Sequence, residues 1–81
     1  MDDTQILSQI ERLVEEEHRL RQRILDGELT EEQERARLRA VETSLDRCWD
    51  LLRQRRARRA AGEDPDDAHA RPASQVEGYR Q

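Results

Sequence analysis

The chain has no phenylalanine and no lysine, and it holds only one cysteine, one tryptophan, one tyrosine and two prolines. Each scarcity narrows what the protein can be. Two aromatic side chains, Trp49 and Tyr79, among 33% hydrophobic residues cannot wall a deep small-molecule cleft, so an enzyme with an enclosed pocket is not expected. A lone thiol, Cys48, cannot staple a small fold from within, and no apolar run approaches the roughly 20 residues that span a bilayer. Nor does the N-terminus carry a basic region followed by an apolar stretch. A reduced, cytoplasmic protein is the expectation. With 81 residues, 42% of them charged, there is room for one small domain with a thin core.

Without lysine, every basic side chain except histidine is an arginine, whose planar fork suits bidentate pairing with carboxylate or phosphate. A genome rich in Arg and Ala codons produces the same bias, so composition alone does not establish an anion site. The net charge of −4 hides a polarity along the chain. Residues 1–34 carry eleven acids against four arginines, whereas residues 53–61 carry five arginines and no acid.

What the sequence does hold is helical periodicity. Ile6, Ile10, Leu13, Leu20 and Ile24 keep spacings of three and four, with Glu17 filling a gap and Leu7, Val14 and Leu25 widening the stripe. Asp2 and Gln5 stand at capping-box spacing, and Asp26-Gly27 offers a left-handed terminus, which places helix 1 at residues 4–25. A second capping box, Thr30 to Gln33, starts helix 2, with Glu31 and Glu32 at the positive end of its dipole. Leu38, Val41, Leu45, Cys48 and Leu52 continue the same alternation, flanked by Trp49 and Leu51, and Gly62 is the next stop signal, so helix 2 covers residues 31–61.

The short connection forces the helices antiparallel, and matching their stripes gives pairs whose numbers sum to about 58. Leu20 then faces Leu38, Leu13 faces Leu45, Ile10 faces Cys48 and Ile6 faces Leu52. Asp2 and Asp3 fall opposite Arg55 and Arg56, and beyond Arg55 helix 2 is expected to lack a partner within the chain. Asp64 before Pro65 marks one short helical turn that ends by about Ala70 or Pro72. The remainder, with isolated Val76 and Tyr79, reads as a tail that is flexible unless Tyr79 docks on the hairpin. The expected fold is thus all-α: a coiled-coil-like antiparallel hairpin over residues 1–61, then an acidic turn and tail over 62–81. Two helices cover only one side of each stripe and leave Leu7, Val14, Trp49 and Leu51 partly exposed. A homodimeric four-helix bundle is therefore the expected assembly, with a different protein on the same face as the alternative.

Several segments together are distinctive: Glu15-Glu16-Glu17-His18-Arg19-Leu20-Arg21, the run from Leu45 through Cys48-Trp49 to Ala57, Gly62-Glu63-Asp64-Pro65-Asp66, Arg71-Pro72, and Val76-Glu77-Gly78-Tyr79. In length and motif order the chain resembles, end to end, the DUF2630 family of short, mainly actinobacterial proteins of unknown function. The resemblance implies a bacterial cytosolic source and a helical fold. It brings no catalytic or binding residues with it.

Chemistry-bearing constellations are few. Glu15 and His18 have the Glu-x-x-His spacing of di-iron bundles, but the stripe sets them facing away from the seam, where metal ligands would have to project. Asp64, Asp66, Asp67 and His69 lack the further ligands and central glycine of a calcium loop, so a cap followed by exposed acids is the simpler reading. Cys48 sits on the seam as a small core residue. Asp46, Asp50 and Arg53 read as a surface charge network. No catalytic residue, metal ligand or cofactor is therefore expected. The candidate interaction surface is Trp49 with Arg53, Arg55, Arg56, Arg58 and Arg59. Its arginines suit a solvated or internally paired helix end, a protein partner or, as an alternative function, a nucleic acid. The expected role is a non-enzymatic helical interaction or adaptor module that self-associates.

Overall fold

The computed structural model describes residues 1–72, and all its regular elements are helical. Helix α1 spans Asp3–Leu25, α2 spans Glu31–Ala60, and a single 3-10 turn, η1, spans Pro65–Asp67. Helices α1 and α2 pack against each other, and η1 lies against α2.

Both long helices begin on the capping boxes that the sequence marks. The Asp2 carboxylate accepts from the Gln5 backbone N–H at 2.8 Å while the Gln5 side chain accepts from the Asp2 backbone N–H at 2.9 Å. Thr30 and Gln33 repeat the exchange at the start of α2. Both helices also end alike. Glu28 N–H reaches back to the Arg23 carbonyl and Gly27 N–H to that of Ile24, with Gly27 at φ +74°. Glu63 and Gly62 make the equivalent bonds to Arg58 and Arg59, with Gly62 at φ +75°. These pairs of bonds satisfy carbonyls that the helix leaves open, and the left-handed residue that closes them is unstrained only as glycine.

The core is a narrow seam. Ile6, Ile10, Cys48 and Leu52 form its buried centre, with Leu13, Leu45, Trp49 and Leu51 packed against it, and Leu20 and Val41 are buried further along. The clustering of Ile6, Ile10, Cys48 and Leu52, with Asp3 paired to Arg55, agrees with the register read from the stripes. The chain then departs from expectation after Gly62. The helical turn closes at Asp67, not near Ala70, and residues 68–72 return along α2 in non-helical form. Gln54 donates to the His69 carbonyl at 2.6 Å, and Arg71 reaches the Asp50 carboxylate at 3.2 Å. The expected flexibility of the tail and the docking of Tyr79 fall on residues outside those described.

Candidate functional site

Of the six residues singled out for an interaction surface, the structure brings some together and withdraws others. Arg55 is only 6% exposed and does not belong to an open basic face. Position 55 continues the seam, three residues after Leu52, so its guanidinium is directed into the open end of the hairpin. There it forks, with Nε donating to Asp3 at 2.6 Å and Nη1 donating to Asp66 at 2.9 Å. Arg59 closes on the same Asp3 carboxylate at 2.8 Å, and Arg58 lies 3.7 Å from Glu63. The expectation that α2 lacks intrachain partners beyond Arg55 is thereby corrected. So is the pairing at the N-terminus: Asp2 is occupied as the cap of α1, and Asp3 serves Arg55 and Arg59, while Arg56 remains exposed.

The electrostatics of this clasp follow from its geometry. Hydrogen bonds from Arg59 and then Arg55 hold the Asp3 carboxyl below the usual carboxylate range, and Asp3 and Asp66 in turn hold the Arg55 proton more tightly. One carboxylate from the first residue of α1, one guanidinium from α2 and one carboxylate from η1 thus tie three parts of the chain at one end.

A second correction concerns Asp46 and Asp50. Both are buried, Asp50 to 4% exposure, on the side of α2 turned away from the seam. Asp50 is satisfied by Arg71 and by Gln54, which donates to it at 2.8 Å. Within the surface network read from their spacing, Asp50 instead forms, with Gln54, the bed on which residues 68–72 lie. No apolar period signals it, which is why the sequence reading missed it. The hint it does leave is polar: Asp50 and Gln54 on α2 and Arg71 on the segment.

Trp49 is half-buried against the seam, with Arg53 and Arg56 exposed one and two turns beyond it. At roughly 100° per residue, Leu7 and Val14 of α1 and Leu45 and Trp49 of α2 fall on the same side of the seam. Leu7 is 45% and Val14 50% exposed. The opposite side is a shallow groove of about 240 Å³ between Ile6 and Gln9 of α1 and Ser44, Arg47, Cys48 and Leu51 of α2. One broad face therefore carries an apolar centre of Leu7, Val14, Leu45 and Trp49, bordered by arginines towards the clasp.

The remaining constellations are placed plainly. Glu15 and His18 are exposed on α1. Asp64 caps η1, its carboxylate accepting from Asp66 N–H at 2.9 Å, and Asp66 belongs to the clasp. Burial pushes the Cys48 thiol up in pKa, away from the thiolate form a nucleophile needs. Among the described residues no group of three or more His, Cys, Asp or Glu is placed to hold a metal ion. Likewise, no helix among them is long and apolar enough to cross a membrane.

Comparison with known proteins adds a family and no activity. A family model described as a protein of unknown function, DUF2630, matches residues 2–81. Uncharacterized proteins of Mycobacterium tuberculosis and Mycobacterium bovis are each 52% identical over 77 residues, covering 95% of this chain and 88% of theirs. No solved structure matches the chain.

Proposed function

Because the chain belongs to the DUF2630 family, whose description assigns no activity, we propose its function from its surface: a non-enzymatic helical interaction module that self-associates and binds protein through the Leu7, Val14 and Trp49 face. The observation that carries this reading is the exposure of Leu7 and Val14 at the centre of a face whose other apolar residues are only half-covered. Scattered exposed apolar residues are normal, but a contiguous patch flanked by an indole and rimmed by charge is the anatomy of an interface. Covering it with a like surface yields a four-helix bundle, the usual way in which a helical pair completes its core.

The arginines support a protein partner over a nucleic acid. Arg55, Arg58 and Arg59 are drawn onto Asp3, Asp66 and Glu63, which lowers the local positive potential that a phosphate backbone requires. Arg56, exposed beside the apolar face, favours an acidic rim opposite.

The single tryptophan makes the reading testable. Dilution should shift Trp49 fluorescence to longer wavelength as the face opens to water, and Val14→Glu should fix the emission at its dilute value at every concentration. An emission maximum independent of both concentration and the substitution would overturn the proposal. Salt-sensitive retention of RNA or DNA that Arg53→Gln with Arg56→Gln abolishes would establish the nucleic-acid reading instead.

A further inference from the structure

Helix α1 carries a second line of residues beside its seam. Leu7, Glu11, Val14, His18, Arg21 and Leu25 follow one another at alternating spacings of four and three, the repeat that holds a line on one face of a helix. The line runs about a quarter of a turn from Ile6, Ile10 and Leu13, which pack on α2. All six of its members are exposed. Of the four large apolar side chains left exposed among the described residues, three stand on it: Leu7, Val14 and Leu25, the last at 78%. An exposed apolar line of this period, on a helix already packed along another, is a seam without its second helix. Its residue order is also reversible. Leucine stands at each end, and Glu11 and Arg21 stand second from opposite ends.

Resting on the self-association proposed above, we infer that a second copy of the chain lays its own α1 antiparallel along this line, about a two-fold axis at the level of Glu16. Leu7 then packs on the second copy's Leu25, Val14 on its His18, and Glu11 meets its Arg21, each contact being made twice. Charge selects the arrangement. Were the two α1 helices parallel, Glu11 would oppose Glu11 and Arg21 oppose Arg21, and like charges opposed across an interface disfavour association. Were the axis to run along the helices, α1 would lie on the second copy's α2. The register marked by Asp3 and Arg55 would then put Glu11 between Trp49 and Leu45 and Arg21 beside Arg35, where neither meets an opposite charge. Arg21 is able to turn to a new carboxylate, since it is more than half exposed and holds Glu17 and Glu42 only at 3.9 Å. About the same axis α2 flanks the second copy's α2, which brings Trp49 level with its Arg35, a cation for the indole face. One residue opposes this arrangement: Glu42 falls nearest its own copy at the axis. In area, about 30 Å of overlap across two helices some 10 Å apart covers roughly 600 Å² per copy, at the lower edge of specific interfaces.

The test is sedimentation equilibrium of the full chain at low salt, with circular dichroism confirming that each variant keeps its helix content. Glu11→Arg and Arg21→Glu should each weaken self-association about tenfold, because each replaces two attractive contacts per dimer by two repulsive ones. Their combination should restore it to within about threefold of the original. Orientation is read separately by mild oxidation of a one-to-one mixture of Leu7→Cys and Leu25→Cys chains, in which the native Cys48 is buried. The mixed disulfide dimer should exceed both like-with-like products. Self-association that the double exchange fails to restore, or an excess of like-with-like disulfides, would overturn the antiparallel α1 pairing while leaving self-association standing. A monomer at every concentration would overturn both.

Discussion

Arg55 is the residue on which the open end of the hairpin depends. Its side chain is buried, and its charge is met by Asp3 and Asp66 in directions that its planar fork can serve together. Truncating it removes the guanidinium that Asp3 and Asp66 share, a far larger disturbance than losing an exposed charge. In thermal unfolding followed by circular dichroism, Arg55→Ala should lower the midpoint several-fold more than Arg56→Ala, whose exposed site predicts an effect within about 0.5 kcal/mol. The clasp also carries a pH dependence of definite sign. Since Asp3 is more acidic folded than unfolded, its contribution is complete above its unfolded pKa and is lost as the pH falls through the lower, folded value. The stability difference between the unsubstituted chain and Asp3→Asn should therefore be constant above about pH 5 and shrink steadily as the solution is acidified below about pH 4. Denaturant titrations at a series of pH values would reveal this, and a difference that persists unchanged in acid would contradict it. Much of the clasp was legible: the register placed Asp3 against Arg55. What hid Arg55's burial was that its seam position holds a charged residue, which reads as the end of a core unless its counter-charges are known.

At the scale of elements, the helices are delimited by local chemistry that is fully written in the sequence. The capping boxes at Asp2 and Thr30 and the left-handed glycines at Gly27 and Gly62 lie where the periodic stripes begin and end. No atom crowds the space where a Cβ on Gly27 would sit, so the effect of Gly27→Ala isolates the backbone conformation. A loss of about 1 kcal/mol is expected, measurable by urea denaturation, with Gly27→Asn milder because Asn tolerates the left-handed region. The segment over residues 68–72 was not legible, for a physical reason. It is held by Gln54, His69, Asp50 and Arg71 through polar contacts, and periodicity arguments see only apolar residues. Asp50→Ala should accordingly speed amide hydrogen exchange in residues 65–70 while leaving exchange in α1 unchanged.

For the molecule as a whole, the two stripes specify which faces meet and leave a surplus of apolar surface on one side. Leu7 and Val14 are too regular in spacing to be scattered surface residues and too far from the seam to be covered by α2. The sequence already implied this surplus, because a stripe wider than one helix can cover must find another surface. Leu7 and Val14 belong to none of the clasp, the caps or the bed of the docked segment, so they can be altered with the fold kept. The central claim is that the face is covered by self-association. The most direct measurement is the solution mass by light scattering across concentration, for the unsubstituted chain and for Leu7→Glu with Val14→Glu. The account predicts a mass rising to twice the 9.6 kDa of one chain for the former and remaining at 9.6 kDa for the latter. A monomer throughout, or a dimer indifferent to both substitutions, would contradict it.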